Sequence, residues 1–133
     1  LAHHALWDSW VHERDVLLPL GIAPDEEADE IVAALRYSAA LAPGFAVSRG
    51  ANKNGTLAIE ATTPDTSFVV EVSDQVHVRS GTSTADLRLT GNGVELLETL
   101  SIRSPLTQSV PANHKWMVIG LAEIFDVDVA LND

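Results

Sequence analysis

The sequence predicts an α+β fold, an antiparallel sheet of three to five strands packed with helices. Three observations predict it. Four stretches between Leu57 and Thr90 alternate apolar and polar residues with period two and are joined by short turns. Two others, 28–39 and 94–100, repeat apolar residues at helical spacing. The opening run Leu1 to Leu18 contains no Pro or Gly, and Pro19 and Gly21 punctuate its end.

In chain order, the opening helix draws apolar contact from Trp7, Trp10, Val11, Leu17 and Leu18. A second helix starts at Ala23-Pro24-Asp25-Glu26-Glu27, with proline in the first turn and acids favoured by the helix dipole. Ala28, Ile31, Val32, Leu35 and Ala39 form its apolar stripe, and it should stop near Pro43-Gly44. Its acids (Asp25, Glu26, Glu27, Asp29, Glu30) read as a solvated helix front rather than a cation site. Asn52-Lys53-Asn54-Gly55 reads as a tight turn. Asn54-Gly55-Thr56 formally matches a glycosylation acceptor, and without a secretory signal it is read as turn chemistry.

The strands follow. Leu57, Ile59 and Ala61 alternate with Ala58, Glu60 and Thr62; Phe68, Val70 and Val72 with Val69 and Glu71; Val76 and Val78 with His77 and Arg79; Leu87 and Leu89 with Asp86, Arg88 and Thr90. Turns fall at Pro64-Asp65, Ser73-Asp74 and Ser80-Gly81. Short connections leave no room for βαβ crossovers, so the sheet should be antiparallel with one buried face. Gly91-Asn92-Gly93 opens a helix with Val94, Leu96, Leu97 and Leu100 inward, ended by Arg103-Ser104-Pro105. A last helix should start at Asn113 as N-cap and carry Met117, Val118, Leu121, Ile124 and Phe125. The Asp126-Val127-Asp128 tail lacks the central Gly and closing Glu of an EF-hand loop.

Composition narrows the function classes. The chain has 133 residues, 46% hydrophobic, which is one domain's worth with an ordinary core. A net charge of −11 with only 8 basic residues argues against a nucleic-acid partner. No apolar run approaches the ~20 residues that span a bilayer. The absence of Cys excludes disulfides, Cys-ligated zinc and a cysteine nucleophile within the chain. No G-x-S-x-G elbow, Walker loop or G-x-G-x-x-G is present. With no signal peptide and no initiating Met, the chain reads as a cytoplasmic fragment.

Chemistry concentrates on the opening helix. Asp8 and His12 lie one turn apart on one face, their Cβ atoms about 5–6 Å apart, so they can share a divalent ion. His4 extends the row, but it is about 12 Å of helical rise from His12 and cannot grip the same ion. The helix thus supplies two ligands. Taken by itself, such a pair is more often a surface hydrogen bond, and His3 and His4 are solvated polar residues near the chain end. His77, Arg79 and Arg88 share the polar sheet face as a cross-strand set. His114 reads as first-turn helix surface and Trp116 as core.

Trp7-Asp8-Ser9-Trp10-Val11-His12-Glu13-Arg14-Asp15-Val16, followed by Leu20-Gly21, resembles the mycothiol-dependent maleylpyruvate isomerase family. Members combine a DinB-like metal-binding helical bundle with a sterol-carrier-like C-terminal domain. The family pattern Glu-x-Trp-Val-His-x-x-Asp-Val and Leu-Gly is matched at Trp10, Val11, His12, Asp15, Val16, Leu20 and Gly21. Asp8 stands where the family usually has Glu, one methylene longer. Ala85 to Gly91, the helix after it and Arg103-Ser104-Pro105-Leu106 are similar to the family's second domain.

The resemblance implies an organisation: 1–21 as the last part of the bundle, 22–44 as a linking helix, and 45–133 as the sterol-carrier-like domain. It implies that Asp8 and His12, with a His from an early bundle helix, bind a divalent ion, zinc above others. It implies mycothiol or a similar thiol as co-reactant. In the named isomerase a thiolate adds to maleylpyruvate, permits rotation and leaves, giving fumarylpyruvate. Arg103 aligns with an arginine implied to hold a substrate carboxylate; its alternative reading is a helix C-terminal arginine satisfying carbonyls. Asp15 would support the ligand His or tie the helix to its neighbours. The expected partners are a small-molecule substrate and the upstream bundle, with no nucleic acid and no membrane span, in a monomer or weak dimer. With two ligands, this chain alone should be inactive and retain no stoichiometric zinc after dialysis. The competing reading is a non-catalytic sterol-carrier-like module that binds an apolar ligand or a protein partner.

Overall fold

The computed structural model describes residues 2–21, 27–50, 53–81, 84–101, 106–118 and 131–132. The α+β class is as expected. Helices α1 (Ala2–Leu17), α2 (Ala28–Ser48) and α3 (Gly93–Leu100) share one apolar core with a four-stranded sheet. The strands are β1 (Gly55–Thr62), β2 (Thr66–Val72), β3 (Val76–Ser80) and β4 (Leu87–Asn92), in the order β3-β2-β1-β4.

Alternation sets the core face. Leu57 sits between Val70 and Leu87, and Ile59 between Phe68 and Leu89, so the middle of β1, β2 and β4 carries one apolar, buried parity. The opposite parity carries Glu60, Glu71, Arg79 and Arg88. Ion pairs lace it across strands, Arg79 to Glu71 and Arg88 to Glu60. In one respect the sheet differs from expectation. β1 pairs antiparallel with β2 but parallel with β4, so the sheet is mixed. The reason is topological: β4 joins the far edge beside β1 instead of continuing the meander beside β3.

Helix α2 also departs from expectation, running through Pro43 to Ser48. A mid-helix proline costs about 3 kcal/mol. Here Ala42, Pro43 and Ala46 are all buried, and the packing of that extra turn offsets the cost. The unbroken helix is 21 residues and, by length and composition alone, apolar enough to cross a membrane. Its Ile31, Ala34, Leu35 and Ala39 nonetheless lie in the core.

At the front of α2, partial burial and then the charges of Glu27, Asp29 and Glu13 hold the Glu30 carboxyl above the usual range. A raised folded-state value means the ionised form is penalised by folding. The penalty is complete above that value and absent below the ordinary one. Glu30→Gln should therefore raise the thermal midpoint at pH 7, and the gain should vanish on acidification. An equal gain at acid pH would contradict this.

The Asn92 side chain caps α3, accepting from the Val94 and Glu95 amides at 2.9 and 3.3 Å. Gly93 is required by close approach, since a Cβ there would meet Pro64 at 3.0 Å and the Thr63 carbonyl oxygen at 3.3 Å. Beyond α3, β5 (Leu106–Ser109) and β6 (Leu131–Asn132) form a small parallel pair. Gln108 of β5 docks on the β4 edge, its Oε1 accepting the Thr90 amide at 3.0 Å and its Nε2 donating to the Thr90 carbonyl at 2.8 Å. One side-chain amide thus occupies part of an exposed edge. Asn113 is not an N-cap: it lies inside a 3-10 turn, Ala112–His114, that follows Pro111.

Candidate metal-ligand pair on the first helix

α1 has a packed side and an open side. On the packed side Trp10 is buried, and the Trp7 indole Nε1 donates to Ser101 Oγ at 2.8 Å. Trp7 also meets the Tyr37 ring at a centroid distance of 5.9 Å. Arg14 Nε donates to Glu98 Oε1 at 2.6 Å, with its guanidinium 4.7 Å from the Trp10 ring centroid. These contacts clamp α1 to α2 and to the end of α3, which fixes the helix's rotation about its own axis.

That rotation puts Asp8 and His12 on the open side. His12 Nε2 lies 3.3 Å from Asp8 Oδ1, with the side chains 71% and 53% exposed. The separation is wide for an N–H···O hydrogen bond, which prefers about 2.9–3.0 Å. It matches two adjacent ligands of a tetrahedral zinc, which bonds of about 2.0–2.1 Å place roughly 3.3–3.4 Å apart. An imidazole nitrogen and a carboxylate oxygen are also suitable donors for such an ion. Among the described residues, no group of three His, Asp or Glu side chains could hold a metal. Asp8 and His12 thus face each other one turn apart on the open side of α1.

Other candidates separate from it. The side chains of His3 and His4, and Arg103 entirely, lie outside the described residues. Asp15 is half-buried, with its Oδ1 out of solvent. His77, Arg79 and Arg88 do share the polar sheet face, His77 opposite Glu71. His114 is not simple helix surface: it is half-buried, and its Nδ1 is shielded with no hydrogen-bond partner among the described residues. Trp116 packs against the core.

Sequence reasoning missed the contacts that orient the pair, Trp7 to Ser101 and Arg14 to Glu98. These residues are 94 and 84 positions apart, and no local spacing signals them. It also missed a groove of about 300 Å³ along α2, lined by Tyr37, Ala40, Leu41, Gly44, Phe45 and Ser48. Burial there pushes the Tyr37 phenol above its ordinary value. No family model, curated protein or solved structure matches this chain.

Proposed function

We propose that the chain is the C-terminal part of a divalent-metal- and thiol-dependent isomerase or transferase, of the kind its opening helix resembles. The observation that carries this is the Asp8–His12 contact, 3.3 Å across and open to solvent. Asp8 and His12 hold the ion, and by resemblance a histidine on an early bundle helix adds the third ligand. A bound divalent cation lowers the pKa of a thiol and so supplies thiolate at neutral pH. Trp7 and Arg14 keep the ligand helix from rolling, and Arg103 receives a substrate carboxylate in its planar fork. Asp8 reaches one methylene less far than Glu, which favours a site closer to the helix axis.

Metal analysis of this chain joined to the upstream bundle that the resemblance implies tests this. The ion should be present near one per chain and be lost, with thiol-dependent turnover, in His12→Ala. Retention of the ion in that variant, or its absence from the parent, would remove the reading. A second reading, a sterol-carrier-like module for an apolar ligand, draws support from the α2 groove lined by Tyr37, Leu41 and Phe45. Lipid co-purifying without metal, and lost on Phe45→Asp, would favour it.

A further inference from the structure

The main sheet ends in two edge strands that are finished differently. The β4 edge is capped at Thr90, whose amide and carbonyl both bond the Gln108 side chain. The β3 edge has no such cover. Among the described residues, β2 is its one strand neighbour and no group bonds the backbone of its outer side. Bonding alternates along an antiparallel pair. The Gly81 amide donates to the Ser67 carbonyl oxygen at 2.9 Å, and these two residues continue the β2–β3 register by one step. His77 and Arg79 therefore bond β2, while the N–H and C=O groups of Val76, Val78 and Ser80 point outward. Such a row is a template for another strand.

We propose that this edge joins two copies of the chain, β3 pairing antiparallel with its twin about Val78 to make one continuous sheet. The proposal goes beyond the metal reading and does not depend on it. Its first support is register. In a two-fold contact, residue i of one copy meets residue j of the other and the reverse. Centred on Val78, the pairing sets Val78 against Val78 and Val76 against Ser80, so every outward donor meets an outward acceptor. The same register matches the faces: Val78, half-buried on the core side, is covered there by its twin.

Charge supplies the second support. The chain carries −11, yet β3 holds His77 and Arg79 and no acid. On the polar side, His77 of each copy faces Arg79 of the other. Each Arg79 is paired with Glu71 of its own β2, which leans it over the sheet and away from the edge. Two acidic copies therefore meet along this strand without acid opposing acid.

Sedimentation of the 133-residue chain over a concentration series tests this, with amide hydrogen exchange as the second measurement. The mass should approach twice the monomer's at high concentration, and less protein should be needed in high salt, which screens the net charge. EDTA should change nothing. As the mass doubles, exchange at Val76, Val78 and Ser80 should slow several-fold, while His77 and Arg79 stay as protected as before. Val78→Pro removes an outward donor at an edge position where proline is tolerated, and it should abolish the doubling. Exchange is read on the parent, so it decides the matter even where Val78→Pro fails to fold. A monomer mass at every concentration and salt overturns the proposal. So does doubling while Val76, Val78 and Ser80 still exchange freely, which places the contact elsewhere. Protection of those amides at constant mass means that the chain covers its own edge, and it too overturns the proposal. Doubling that survives in a folded Val78→Pro does the same.

Discussion

Truncation of Phe68 to alanine is expected to cost about 3–5 kcal/mol, which is a fifth or more of the roughly 5–15 kcal/mol that holds a typical domain together. Phe68 is fully buried on β2, directly opposite Ile59 of the central strand β1. Its loss opens a cavity where sheet and α2 meet, and neighbours held by strand registers on both sides cannot collapse into it. Arg36 on α2 adds to the site: its guanidinium stands 5.4 Å from the Phe68 ring centroid, and its Nη2 donates to Ser80 Oγ at 2.6 Å. Arg36→Ala should cost less, about 0.5–1 kcal/mol for the cation–π contact at a partly exposed position. Urea denaturation separates the two. Phe68→Ala should lower the midpoint steeply at unchanged slope, and a loss below 1 kcal/mol would mean the packing at this junction is misassigned.

What the sequence disclosed, and what it did not, follows from how far each interaction reaches along the chain. Period-two alternation disclosed all four strands of the main sheet, because burying one face leaves its mark on every second residue. It could not disclose that β4 lies parallel to β1, since strand direction within a sheet leaves the alternation unchanged. Local propensity alone predicts a stop at Pro43. The helix passes through it because burial of Ala42, Pro43 and Ala46, a tertiary effect, outweighs that propensity. β5 and β6 are four and two residues long, too short for any period to register. The spacing of Asp8 and His12 announced a pair one turn apart, and the two groups do meet at 3.3 Å. Which way the pair would face depended on residues 84 and 94 positions away, and one helix's own pattern does not hold that information.

Glu98→Ala tests that long-range control and should be the costliest change among the polar contacts, about 2–4 kcal/mol. Arg14 and Glu98 meet at 2.6 Å with side chains only 11% and 22% exposed, so their attraction is little screened. Removing the carboxylate takes from Arg14 a little-screened partner at 2.6 Å while its guanidinium stays beside Trp10, and the loss of that ion pair accounts for most of the cost. The double variant Arg14→Met/Glu98→Leu removes both charges while keeping volume, and it should recover part of the loss because apolar packing replaces the pair. The two variants thus distinguish the ion pair from the packing around it. They also bear on the orientation of α1: in Glu98→Ala the helix is free to roll on Trp7 and Trp10, whereas in the double variant it stays packed. Amide hydrogen exchange along α1 should therefore rise in the first and stay near the parent's in the second. If exchange along α1 is unchanged in both variants, the clamp contributes stability alone, and Asp8 and His12 hold their alignment through the helix itself.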